Sequence, residues 1–178
     1  MTRCNQCIVD TNVPINANLA TQPNSESEVT DECVMACVLE IENITSGKRK
    51  LVLDEADEIF SQYQRHLSFS GQPGQGDRFM KWVHDHQYQP RHITRVPITQ
   101  ASDSYEEFPE HAGLAKFDPN DRIFIAVANA HPDKPPILQS TDSKWWGWNK
   151  ALKEVGITVE FLCPEYMESK YKEKMGHE

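Results

Sequence analysis

Three aspartates stand where a parallel α/β sheet would gather carboxylates. Asp10 follows the apolar run Cys7-Ile8-Val9, Asp142 closes Ile137-Leu138-Gln139-Ser140-Thr141, and Asp121 opens the apolar stretch from Arg122 to Ala130. An open parallel sheet binds ligands outside the carboxyl ends of its strands, so residues distant in the chain meet there. Carboxylates brought together repel one another, and a cation relieves that repulsion. Oxygen donors of this kind suit Mg²⁺ or Mn²⁺. Such an ion polarises a phosphoryl oxygen and acidifies a bound water, which is the chemistry of phosphodiester hydrolysis. Each aspartate alone also reads as a turn former or helix cap; the combination carries the metal reading. Asp118, in Asp-Pro-Asn-Asp, is read as such a cap rather than as a further ligand.

The elements that must position these acids alternate. A first strand ends at Val9 or Asp10, and a loop covers residues 19–28. Apolar residues at 29, 33, 37, 41 and 44 predict a helix over 29–44, with Thr30 or Asp31 near its N-cap and Ser46-Gly47 ending it. Residues 50–53 form a second strand, and Asp54 opens a helix to about Leu67. The glycine-rich loop Gly71-Gln72-Pro73-Gly74-Gln75-Gly76 lacks the Gly-Lys-Ser/Thr of a phosphate loop. It is the one candidate hinge. A helix over 77–85, a strand over 92–98 and a helix-and-loop region over 102–114 come next. The helix over 122–130 has small residues at 126, 128 and 130, suited to close packing. A strand over 136–142, a helix within 143–155 ended by Gly156, and a strand over 157–162 complete the pattern. Strand–helix alternation predicts an α/β fold, with a mostly parallel central sheet covered on both faces.

With 178 residues the chain is long enough for one domain with a real core. We assign it residues 1–164, followed by a polar tail over 165–178 that reads as a loose helix. No apolar run approaches the ~18 residues that cross a bilayer, and the N-terminus lacks a secretory h-region. A cytoplasmic location is therefore expected. The net charge of −9 excludes bulk electrostatic attraction to nucleic acid or membrane. Of the five cysteines, Cys4-x-x-Cys7 and Cys33-x-x-x-Cys37 raise the alternative of a zinc or redox site. Cys4 and Cys7 are three apart on a strand and point to opposite faces. Cys33 and Cys37 fit buried thiols on an apolar helix. Disulfides are not expected in a cytosolic chain.

Together these residues resemble the PIN-domain nucleases. Ile8-Val9-Asp10-Thr11-Asn12-Val13 is similar to that family's opening strand, and Asp121-Arg122-Ile123-Phe124-Ile125-Ala126-Val127-Ala128 to its acid followed by an apolar helix. Ser140-Thr141-Asp142 is similar to its later strand end. The likeness spans most of residues 5–162. It implies a three-layer α/β/α fold and Mg²⁺- or Mn²⁺-dependent cleavage of single-stranded or structured RNA, DNA not being excluded. It implies products with a 5′-phosphate and a 3′-hydroxyl. Asp10, Asp121 and Asp142 would be the metal ligands, Asn12 would support the first by hydrogen bonding, and Thr141 would orient the last. A bacterial toxin or defence effector with a protein inhibitor is one setting that the likeness suggests.

The chain departs from the pattern twice. Gln62 stands where a PIN subgroup has an acid, and a carboxamide offers an oxygen without charge. Glu58, one turn earlier, is positioned to substitute, although an acid there is more often solvated. Lys144 stands where many members have an acid, and suits a phosphate contact or an exposed surface. These departures favour an alternative, a catalytically weakened module that binds protein or RNA. Other candidate substrate contacts are Lys48-Arg49-Lys50, Arg91-His92 with Arg95, and Lys150. Trp145, Trp146 and Trp148 are candidates for base stacking, set against the usual burial of tryptophan. His84 and His86 read as surface residues.

Overall fold

Strand β1 (Gln6–Val9) lies at the centre of the sheet because Cys7, Ile8 and Val9 are apolar without alternation and fully buried. The computed structural model describes residues 5–24, 26–68, 70 and 74–176. Cys4 and the Gly71-Gln72-Pro73 part of the glycine-rich loop lie outside these. After β1 come α1 (Asn12–Asn18), α2 (Asp31–Thr45), β2 (Lys50–Asp54), α3 (Glu58–His66), α4 (Gln75–His86) and β3 (Ile93–Val96). A small hairpin, β4 (Gln100–Ala101) and β5 (Ser104–Tyr105), precedes α5 (Arg122–Ala130), β6 (Ile137–Gln139), α6 (Lys144–Glu154), β7 (Val159–Phe161) and α7 (Pro164–Met175).

Five strands form one parallel sheet in the order β3-β2-β1-β6-β7. Cys7 pairs with Leu51 of β2, and Val9 with Leu138 of β6. The chain builds one half of the sheet outward from β1, then crosses back and builds the other half from β6. The strand order therefore reverses between β1 and β6. That reversal opens a crevice at the carboxyl ends of the two strands. Helices α1, α2 and α4 pack on one another, and α5 lies against β1, β2 and β6. The result is the expected three-layer α/β/α sandwich. Among the described residues no helix is long and apolar enough to cross a membrane.

Several local expectations change. Helix α1 follows Asp10 directly, where no helix was predicted. Gly76 allows α4 to seat against it, since a Cβ there would fall 1.9 Å from the Pro14 carbonyl oxygen. Asp54 ends β2 instead of starting a helix. Its two oxygens accept from the amides of Glu58 and Ile59 at 2.8 and 2.9 Å, so it caps α3 from one turn away. The helix expected within 102–114 is replaced by the β4–β5 hairpin and a 3₁₀ turn over Ala112–Leu114. Two-residue strands are too short to display alternation, which is why the pattern misled. The tail is helical, as read, but it is docked rather than loose: α7 buries Met167 fully. Contrary to expectation, Cys33 and Cys163 are joined as a disulfide, tying α2 to the start of α7.

Candidate metal-binding site

The three aspartates flank the β1–β6 crevice. Asp10 follows β1, Asp142 follows β6 by three residues, and Asp121 ends a 3₁₀ turn (Pro119–Asp121) that leads into α5. Asp10 is almost wholly buried. Its Oδ2 accepts from the backbone amide of Asn12 at 3.0 Å, so it is the main chain of Asn12 that supports the carboxyl. Beneath it, the Tyr63 hydroxyl donates to the Val9 carbonyl at 2.6 Å, fixing α3 to the end of β1.

The carboxyls feel one another. Burial, then the charges of Asp121 and Asp142, push the Asp10 carboxyl up to about 8, while the Asn12 amide opposes the rise. Burial, and the charges of Asp142 and Asp118, push Asp121 up to about 6; the Trp145 indole and Lys144 act against this. The arrangement is looser than a closed ligand shell. Among the described residues, the trio of metal-ligating atoms that lies within 4.8 Å is Cys33, Cys37 and Cys163, not the aspartates. A groove of about 870 Å³ is lined by Cys33, Cys163 and Tyr166 and by none of the three aspartates.

Two residues that the sequence reading passed over organise this edge. Gln139, fully buried at the end of β6, accepts through Oε1 from the amides of Ser140 and Asp142 at 3.0 and 3.3 Å. Its Nε2 is buried without a hydrogen-bond partner. That amide lies near enough to the Asp10 carboxyl to favour its charged form. Asn16 of α1 donates from Nδ2 to Ser140 Oγ at 2.8 Å and to Thr141 Oγ1 at 2.9 Å. It thereby pins the segment that carries Asp142, and Thr141 acts through this bond. A polar residue on the buried face of a short helix was the signal for Asn16; an amide closing an apolar strand was the signal for Gln139.

Gln62 reaches the same edge. Its Nε2 donates to the Asn120 carbonyl at 2.6 Å, beside Asp121. Glu58 lies on the same helix, where its charge is felt by Tyr105. Lys144 is exposed, and its Nζ lies 3.6 Å from Asp118 Oδ2, among the acids. Asp118 accepts from the Asn120 amide at 3.0 Å, in the capping role expected of it.

Arg49, Arg95 and the three tryptophans are engaged elsewhere. Arg49 is buried and paired with Glu40 at 3.2 Å and Glu160 at 2.8 Å. It also lies before β2, away from the carboxyl edge of the sheet, so it does not belong to a substrate surface at the acids. Arg95 is held by Asp57 at 2.9 Å and stacks over Tyr88. Trp145 is buried and donates to Asp121 Oδ2 at 3.3 Å; Trp146 packs on Phe161 and Trp148 on Phe117. All three rings are thus engaged in packing. His84 is exposed, as expected, while His86 is half-buried and stacks on Trp82.

No protein-family model, curated protein or solved structure matches this chain.

The oxygen donors are those a hard cation takes, three carboxylates. The Thr11 hydroxyl and the Gln139 Nε2, the latter a donor that a metal-bound water could accept from, are buried without partners. Burying a polar group without a partner is costly, and an ion with its water shell at this edge would satisfy such groups. These residues therefore fit Mg²⁺ or Mn²⁺.

Proposed function

We propose that the chain is a PIN-like, Mg²⁺- or Mn²⁺-dependent endoribonuclease whose reaction centre lies at the β1–β6 crevice. The observation that carries this reading is the gathering of Asp10, Asp121 and Asp142 at one sheet edge, where burial first and then the charges of the other two push the Asp10 carboxyl up to about 8. Asp10, Asp121 and Asp142 would hold the ion. When bound, it supplies Lewis-acid stabilisation of a phosphoryl oxygen and a more acidic water.

The chain's own residues do the rest. Gln139 and Asn16 fix the segment of Thr141 and Asp142, so that the carboxyl is presented rather than searching for its position. Trp145 orients Asp121. Lys144, at the rim, offers a cation for a substrate phosphate, which an otherwise acidic surface needs close to the site.

A second reading, a PIN-like module that binds protein or RNA without cleaving it, is favoured by Gln62 and Lys144. The first brings no charge to the edge and the second brings the opposite charge. Manganese-dependent cleavage of single-stranded RNA by the wild-type chain, Asp10→Asn and Gln62→Glu separates the two. Cleavage by the wild type that is lost in Asp10→Asn supports the nuclease. Cleavage that survives Asp10→Asn overturns the metal reading, and inactivity of all three chains selects the binding module.

A further inference from the structure

The second concentration of chemistry lies on the opposite side of α2 from the solvent, where three sulfurs meet. Cys33 and Cys37 are one helical turn apart on α2, and Cys163 is the residue immediately before α7. Their Sγ atoms all lie within 4.8 Å of one another. We propose that Cys33, Cys37 and Cys163, once the Cys33–Cys163 bond is reduced, form a three-thiolate site for zinc.

The geometry is close to what zinc needs. A Zn–S bond of about 2.3 Å in a tetrahedral site sets the sulfurs roughly 3.8 Å apart. On reduction the bonded Cys33 and Cys163 sulfurs must move apart to that spacing, while Cys37 already lies within 4.8 Å of both. Thiolate ligands select soft or borderline ions over Mg²⁺, so this site and the aspartate edge would sort different metals. Cys163 stands at the N-terminus of a 12-residue helix, where free amides and the helix dipole favour a thiolate. The groove over Cys33 and Cys163 gives a path inward and room for a water at the fourth position. Glu32 and Glu165 on its walls favour a cation, while Glu28 there is paired with Lys170.

Oxidation state decides whether the site exists. In the disulfide form two of the three sulfurs are bonded to each other, and Cys37 remains a buried thiol against Ser140. An external dithiol can transfer two electrons to this bond: the S–S bond breaks, Cys33 and Cys163 become thiols, and the reductant becomes a disulfide. Zinc then displaces three protons from three thiols and leaves a centre with net charge −1. The metal replaces the covalent tie between α2 and α7, so the fold keeps that connection in either redox state. Cys37 packs in the core against Ser140 in the oxidised form, and it is the residue that completes the reduced site.

The test uses the full chain, reduced with a phosphine and desalted without oxygen, beside the oxidised chain. Bound zinc is counted by atomic emission, and Co²⁺ is added as a spectroscopic substitute. One zinc per reduced chain, none on the oxidised chain, and a thiolate-to-cobalt charge-transfer band are expected. Competition with a chromophoric chelator should show Cys37→Ser weakened by more than the ~10–100-fold typical of an outer-shell change. Cys163→Ser should behave alike, and Cys4→Ser should match the wild type. Circular dichroism of oxidised Cys37→Ser, which keeps the disulfide, guards against misfolding as the cause. A reduced wild type that takes no zinc overturns the proposal. So does a Cys37→Ser chain that binds as well as the wild type, or zinc that is lost with Cys4→Ser. None of these readouts depends on nuclease activity.

Discussion

The indole Nε1 of Trp145 donates to Asp121 Oδ2 across 3.3 Å, joining the first turn of α6 to the turn that precedes α5. Trp145 is fully buried, so this hydrogen bond is shielded from competing water. It opposes the burial and like charges that push Asp121 up to about 6. Trp145→Phe keeps a ring in the core and removes only the donor. It should cost about 1 kcal/mol of stability and lower Mn²⁺ affinity by roughly 10–100-fold. Calorimetric titration with Mn²⁺ checks the second value, and the Asp121 carboxyl should titrate higher still by NMR.

Gln62→Glu should restore charge to the edge. The new side chain loses the donor to the Asn120 carbonyl, at a cost of about 1 kcal/mol in the metal-free protein. With Mn²⁺ the sign reverses, because a fourth carboxylate adds attraction for the ion. Mn²⁺ affinity should rise by about 10-fold or more, and RNA cleavage with it. A variant whose melting temperature falls equally with and without Mn²⁺ would place Gln62 outside the ion's reach.

Asp10 sets a pH dependence of stability. Its carboxyl keeps a proton up to about pH 8 in the fold, but only to about 3.8 in the unfolded chain. Between those values the native state binds more protons, so stability falls as pH rises. The metal-free protein should melt at progressively lower temperature from about pH 4 to about pH 8. Asp10→Asn should flatten much of that slope. Mn²⁺ should raise the melting temperature most at the alkaline end, where the carboxylates are charged. A metal-free melting temperature that rises through this range would contradict the burial and coupling of Asp10.

Arg49→Ala should separate structure from substrate binding. The guanidinium joins Glu40 and Glu160 in a largely buried network, and removing one partner from such a pair costs ~3–5 kcal/mol. Denaturant titration should show that loss. RNA affinity, measured well below the melting temperature, should not change.

The acids were legible because the strands that carry them are short apolar runs ending in a charged residue. β1 and β6 are buried at the centre of the sheet, so their sequences show little else. Helices α2 and α5 were legible from long apolar periodicity. Helix α1 was hidden because Asn12, Asn16 and Asn18 are poor helix formers and Pro14 interrupts the pattern. Contacts made elsewhere hold it, among them Asn16 to Ser140 and Thr141. Gln139 and Trp145 read as ordinary core residues, since their roles depend on neighbours distant in the chain. The Cys33–Cys163 pairing was invisible for the same reason, with 130 residues between its ends.

That bond closes a covalent ring which takes in every strand from β2 to β7. A protease that nicks the chain once inside the ring, for instance beside the exposed Tyr88, severs the polypeptide without releasing either piece. The two fragments travel as one species on a non-reducing gel and part only when a thiol is added. Wherever the linkage is intact, clipping of an outer loop therefore produces a two-chain protein instead of a truncated one.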